Sequence, residues 1–429
     1  MDDPHPRTKA DVRWLVLNTF MVILTGMAYS LWWPSVVRHR PLYWVIPEDV
    51  WGAVRAAHWV DWGGLSFIYS SSTGLVTLPG FHIFLAPIVA LSSLLNLSES
   101  APGILPAVPK PTEWLLVGPV ILACAALPLF GTDALARRLG TALWGRRVVV
   151  LGAGVAVWPT LAMWGHPEDV LALGLAMYAL VALLNGRLRG AGWLLGAALA
   201  MQLYVVALIP LFIAVVGRRK AAPLVARAAI LPGSLLVAII VPNFHATVHA
   251  LLDQPNFPNV DHATPWLLLA PKLGHGAVAA GPGRIVGLLL AVAVGALGVR
   301  YRSDPRRIVW LAAVALGLRC LFESVMDPYY VMPVIVLAIV VVADLGAVRF
   351  TSAAVGCAGL TVLTYYRPDM WAYWAEMTAV VVAILAVTWP RDIRRSSQDA
   401  PQLDDVEPPS RKVPDAGGHS RLISSASAR

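Results

Sequence analysis

Charge is what this chain has least of. Only 14% of its 429 residues are Asp, Glu, Lys or Arg, against about 25% in an ordinary soluble domain. So thin a supply of charge excludes a water-exposed surface around most of the molecule. Cysteine is nearly as scarce. Cys124, Cys320 and Cys357 each lie inside an apolar run and no C-x-x-C occurs, so they read as small buried hydrophobes, and a disulfide framework or a zinc knuckle is excluded. There is no phosphate loop of the G-x-x-x-x-G-K type, no dinucleotide fingerprint and no serine elbow. The segment WGGLSFIY (62–69) has the glycine spacing of none of them, which leaves no cytosolic nucleotide or ATP site.

What is present is hydrocarbon: 58% of the residues are apolar. Apolar runs of roughly 17–25 residues recur, the length that crosses a bilayer core of about 30 Å. The fold class expected is all-α, a polytopic transmembrane bundle. Spans are placed at 14–33, 113–134, 148–164, 169–186, 224–242, 285–299, 308–324, 330–346, 350–366 and 372–389. The net charge of +8 does not point to nucleic acid, because Lys and Arg gather in short loops between the runs. Positive loops stay on the cytoplasmic side, which puts ARRLGTALWGRR (136–147), RLRG (187–190), RRK (218–220) and RYRSDPRR (300–307) inside. Both termini are then cytoplasmic, the first helix is uncleaved, and the protein is multi-pass in the plasma membrane.

Two apolar stretches resist simple crossing. PGFHIFLAPIVALSSLLNL (79–97) would place the basic loop 136–147 outside if it spanned, so it is expected to lie on the outer surface or re-enter, kinked near Pro87. GWLLGAALAMQLYVVALIPLFIAVV (192–216) has basic loops on both sides, so it is expected to enter and return as two half-helices broken between Gln202 and Pro210. Irregular backbone at that depth requires protein or a watery cavity around it. Counting this pair, the total is about twelve spans. Residues 1–390 form the membrane domain, with 34–112 a large outer loop carrying surface helices. The Pro-, Ser- and charge-rich residues 391–429 form a disordered cytoplasmic tail.

This sidedness collects nearly all unusual ionisable residues on the outer face. In EDVWGAVRAAHWVD, Pro47 precedes a short helix whose first turn holds Glu48 and Asp49; both acids suit the helix dipole equally well. His58 lies on the stripe of Trp51, Val54 and Ala57, and Asp61 precedes a Trp-Gly-Gly turn it could simply cap. In MWGHPEDV (163–170), His166, Glu168 and Asp169 stand at a membrane-boundary corner, the acids again at a helix start. A metal on His166 and these acids is a minor alternative; His245 and His249 lie in a different loop. In RCLFESVMDPYY (319–330), Arg319 sits inside an apolar run and needs a partner. Glu323 at i+4 offers a structural pair, and a phosphate is the functional alternative. Tyr329 and Tyr330 fit an interfacial belt or a binding site, and Lys272, Arg284 and Arg367 are further outer cations.

This arrangement resembles the GT-C superfamily of membrane glycosyltransferases, and within it the actinobacterial polyprenol-phosphate-dependent mannosyl- and arabinosyltransferases. The resemblance lies in a single span followed by an acid leading a short helix, here Asp49, AVRAAHWVDWGG and Phe67-Ile68-Tyr69. It continues through a Pro-led surface helix (PGFHIFLAPIVAL), the broken pair GWLLGAALAMQLYVVALIPLF and the DPYY corner, over most of 14–350. Gln202 or a neighbour stands where many relatives have Lys, and Leu78-Pro79-Gly80 where many have Tyr-Pro-Pro. The resemblance implies transfer of a sugar, mannose favoured, from a polyprenyl-phosphate donor to a glycan or glycolipid acceptor. Asp49 would be the base, with Glu48 and Asp61 as substitutes. His166 and Glu168 or Asp169 would orient base or acceptor, Arg319 with Lys272 or Arg367 would hold the phosphate, and the configuration would invert. His58, Glu323, Tyr329 and Tyr330 complete the expected substrate-binding set. No cofactor is implied. A transporter or lipid flippase, and a non-catalytic envelope-assembly protein, are the other readings open at this point.

Overall fold

Hydrocarbon supplies no hydrogen bonds, so an apolar chain must satisfy its backbone internally, and it does so as helices. A computed structural model describes residues 8–37, 46–69, 75–101, 104, 110–258, 261–363 and 371–390. The side chains of 33–37 and of Glu48 are outside that description, as are Arg367 and the tail 391–429. The helices in chain order are α1 (Lys9–Val37), α2 (Glu48–Asp61), α3 (Gly80–Leu94), α4 (Pro111–Ala123), α5 (Ala126–Arg138), α6 (Leu143–Pro159), α7 (Pro167–Leu184) and α8 (Leu188–Met201). They continue with α9 (Ile209–Val216), α10 (Arg218–Ile240), α11 (Phe244–Val248), α12 (Gly283–Arg300), α13 (Pro305–Phe322), α14 (Met332–Val342), α15 (Ala347–Leu363) and α16 (Ala372–Val387). Among the described residues four short strands, β1 (His262–Ala263), β2 (Lys272–Gly274), β3 (Ala277–Val278) and β4 (Val325–Met326), pair as β1 with β4 and β2 with β3, both antiparallel.

Among the described residues, six stretches are long and apolar enough to cross a membrane: Lys9–Trp32, Pro111–Arg138, Leu143–Trp164, Pro167–Leu184, Arg218–Ile240 and Gly283–Arg300. The other apolar helices are shorter, so a count of about twelve is not reached by length alone. Helix α7 sits at the centre, between α5 and α8; α8 leans on α10, and α14 on α6 and α13.

Contacts between helix ends sort the bundle into two poles. At one pole Arg146 binds Asp133 at 2.6 Å and Asp11 at 3.5 Å. Thr141 and Arg306 both reach Asp344, Arg138 donates to the Leu184 carbonyl, Arg302 to Ala214 and Arg349 to Val387. Arg138, Arg146, Arg302 and Arg306 belong to the basic loops 136–147 and 300–307 of the sequence. Helix α1 begins there with a reciprocal cap, the Thr8 hydroxyl accepting from the Asp11 N–H and the Asp11 carboxylate from the Thr8 N–H.

The chain 188–216 starts at the basic pole, breaks and returns to it. Helix α8 ends at Gln202, whose backbone is extended (φ −153°, ψ 131°); a 3-10 stretch follows, then α9, which ends at Gly217 beside Arg302. The groups freed by the break find partners: Gln202 Oε1 accepts from the Leu203 N–H, and the Tyr204 hydroxyl donates to the Asp169 carbonyl. Helix α3 starts against the break, where Gly80 meets the Ala200 backbone too closely for any side chain. The turn that follows it accepts, at the Leu97 carbonyl, from Thr112 at the head of α4. Helix α3 therefore starts and finishes at the pole opposite Arg146. Helix α2 lies along it. A buried Glu113 locks the layer, its Oε1 meeting His58 Nε2 at 3.0 Å and accepting from Ser92 at 2.9 Å.

Candidate functional site

The pole away from the basic loops gathers acids, and their geometry starts at one corner. Helix α6 ends in a π turn, Thr160–Trp164, and Gly165 follows with φ +76°. A Cβ there would stand 2.6 Å from Val50 Cγ2 and 2.8 Å from Pro47 Cβ, so only glycine lets the start of α2 come this close. His166 comes next, its N–H held by the Thr160 carbonyl at 2.9 Å, and Pro167 opens α7.

Asp49 lies in the first turn of α2 but does not act as a mere dipole partner. Its Oδ2 meets His166 Nε2 at 3.0 Å. The other ring nitrogen, Nδ1, meets Glu168 Oε1 at 2.9 Å and lies 3.8 Å from Asp169 Oδ2. A ring that gives a hydrogen to a carboxylate from each nitrogen is an imidazolium. Burial pulls its pKa down, but the hydrogen bonds and charges of Asp49 and Glu168 outweigh this and raise it well above the usual histidine value. The imidazole is mostly covered and stacks on Tyr329, centroids 3.7 Å apart, while Asp49 is exposed. His82, buried at the start of α3, is the opposite case: burial lowers it to about 4 despite Glu168.

Below this corner Asp169 is 2% exposed. Arg319 NH1 lies 3.5 Å from its Oδ1, and the guanidinium face rests on the Tyr330 ring at 3.6 Å and faces Tyr204 at 5.4 Å. The i, i+4 spacing of Arg319 and Glu323 yields only a 4.0 Å approach. Glu323 is instead held by the fork of Arg284, at 3.0 Å and 2.7 Å, which also binds Gln254. Tyr329 donates to Asp327 at 3.0 Å. Asp261 faces Asp327, and burial, then the charge and hydrogen bond of Asp327, push its carboxyl up to about 8.

The structure thus brings together Asp49, His166, Glu168, Asp169, Arg319, Glu323, Tyr329 and Tyr330. His58 is buried on Glu113 instead. Asp61 ends α2 in solvent and Lys272 is exposed on β2; among the described residues neither forms an ion pair with the cluster. Glu48 opens α2, with only its backbone described, and Arg367 lies outside the described residues. Sequence reasoning missed Asp327, Asp261 and Tyr204 as site residues. Asp327 leads the DPYY corner and Tyr204 stands in the helix break, so both had a local signal. Asp261 had none, because it depends on β1 pairing with β4.

His166, Glu168 and Asp169 present ligand atoms within 4.8 Å of one another and could hold a divalent cation. A cation there would have to displace the ring proton of His166 and compete with Arg319 for Asp169. Chemically, the arrangement offers an exposed carboxylate oriented by a charged ring, backed by buried acids and an aromatic-clamped guanidinium. No protein-family model matches the chain and no curated protein matches it.

Proposed function

We propose that the protein is a plasma-membrane glycosyltransferase that moves a sugar, mannose favoured, from a polyprenyl-phosphate donor to a glycan or glycolipid acceptor at the outer face. The observation that carries this reading is Asp49: an exposed carboxylate held by His166, at the pole opposite the basic loops. On this reading α1, the α4–α5 pair, α6, α7, α10 and α12 to α16 cross the bilayer, and α8 with α9 enters and returns, which makes about twelve. Both termini are cytoplasmic.

The acceptor hydroxyl oxygen attacks the anomeric carbon as the carbon–oxygen bond to phosphate breaks. Its proton passes to Asp49, and polyprenyl phosphate departs, so the configuration inverts. Asp49 presents its Oδ1 to the acceptor while Oδ2 stays on His166, and Glu168 fixes the ring from behind. Arg319 pairs with Asp169 and Arg284 with Glu323, so both of these cations already hold carboxylates. An arriving phosphate must take a guanidinium edge from Asp169 or Glu323, which the planar fork allows.

A transporter is the second reading, favoured by the helix break at Tyr204 beside buried Asp169 and Arg319. One comparison separates the two. Purified protein is given radiolabelled polyprenyl-phosphate mannose and candidate acceptors, as wild type, Asp49→Asn and Asp49→Ala. Loss of transfer by about 100-fold or more in both folded variants is the expected result. Undiminished transfer removes Asp49 as base; flux of labelled lipid into liposomes with no transfer by any form favours transport.

A further inference from the structure

The pole that carries the acid cluster is covered by two segments, 241–258 and 261–282. Their only charged side chains are Asp253, Asp261 and Lys272. Large apolar side chains nevertheless point outward from them. Val241 is 78% exposed, Leu252 73% and Leu268 74%, with Phe244 and Leu269 also in the open. A surface lapped by water rarely carries such a concentration; it marks an interface.

Position says what covers it. Val241 and Phe244 prolong the outward face of α10, and α10 buries little of its own surface in the protein. Leu268 and Leu269 follow Trp266, whose ring lies against Gly283 in the first turn of α12 and whose Nε1 donates to the Leu321 carbonyl. Helix α12 in turn exposes Ile285 and Leu289. Both helices pack on α9, so the two apolar outcrops lie along one edge of the bundle, continuous with the exposed apolar faces of α10 and α12.

We propose that these two segments form a lip seated in the acyl-chain boundary of the adjoining bilayer leaflet, with Leu252 and the Leu268–Leu269 pair as its anchors. Trp266 and the paucity of charge suit that depth. The lip is stapled to the site. His262 pairs with Met326 and Ala263 with Val325, the Thr264 hydroxyl donates to the Glu323 carbonyl at 2.6 Å, and Asp261 faces Asp327. How deep the lip sits therefore fixes the level of the acid cluster relative to lipid phosphates. None of this depends on the proposed reaction.

The test uses full-length protein in nanodiscs. The native cysteines are all buried, so single cysteines can be placed at Leu252→Cys and Leu268→Cys, with Asp61→Cys and Glu99→Cys as exposed controls outside the lip. Each carries an environment-sensitive NBD label. The expected result is blue-shifted emission at 252 and 268, quenched severalfold more by lipids brominated high on the acyl chain than at 61 or 99, and protected from iodide. Labels at 252 and 268 that respond to iodide as the controls do would overturn the proposal. Labels protected from both quenchers, with a dimer on crosslinking, would also overturn it and assign the surface to a second copy. Folding of each variant is checked by its thermal unfolding, and Leu269→Cys replaces any that fails.

Discussion

At His166 two carboxylates share one ring, and the ring's charge depends on both. Removing the ring should leave Asp49 without orientation. His166→Ala is expected to lower transfer roughly 100-fold, the usual scale of a lost acid–base arrangement, while Asp61→Asn, at the exposed end of α2, should leave it unchanged; initial rates on the polyprenyl-phosphate donor check both. The raised pKa of His166 also has a stability signature. Between the ordinary value of 6.5 and the folded value the native state binds the extra proton, so stability falls as pH rises through that window. Asp261 acts in the same direction for a different reason. Its carboxyl is lifted from 3.8 to about 8, so the native state again holds more protons across that range and loses stability as pH climbs through it. Asp261→Asn keeps a hydrogen-bonding partner for Asp327 and removes the titration. Its unfolding temperature in detergent, followed from pH 5 to 9, should be flatter than that of wild type up to about 8.

At the scale of elements, the start of α2 is held by contacts rather than by its own propensity. Gly165→Ala combines a left-handed backbone cost of about 1–2 kcal/mol with overpacking of about 1–3 kcal/mol against Val50 and Pro47. It should lower the unfolding temperature and separate Asp49 from His166, so transfer should fall even in the fraction that stays folded. On the far side of α2, Glu113→Ala would take from buried His58 its carboxylate partner, while Ser92 keeps the Val89 carbonyl. A loss of about 1–3 kcal/mol is expected, measurable by chemical denaturation. These two contacts also show how much was legible beforehand. The return of 188–216 could be read from basic residues on both flanks, because loop charge is written locally. The corner His166-Pro167-Glu168-Asp169 was visible as a boundary motif. The pairing of His58 with Glu113 was not, since nothing in either segment names a partner 55 residues away. Arg319 shows the same limit: the partner at i+4 was the one the spacing offered, yet Asp169 on α7 lies nearer and Glu323 has gone to Arg284. Helix-internal spacing predicts neighbours only where packing offers nothing closer.

At the scale of the molecule, charge divides the bundle. Arginines and their carbonyl partners crowd one pole, where Arg138, Arg146, Arg302, Arg306 and Arg349 tie helix ends together. Acids dominate the other, around Asp49 and Asp327. Retention of basic loops in the cytoplasm should orient the whole, and the proposed chemistry needs that orientation, because a lipid-linked sugar donor is met on the outer face while a nucleotide donor would be met on the inner one. Cysteines at Lys272 and Glu99 mark the acidic pole, and cysteines at Asn185 and Leu143 mark the basic pole without deleting a basic residue; all four positions are exposed. A membrane-impermeant maleimide should label the first two on intact cells and the last two only after permeabilisation. The reverse pattern would place Asp49 in the cytosol, where a polyprenyl-phosphate donor flipped outward could not reach it, and the proposed reaction would fail even if the fold stands as described.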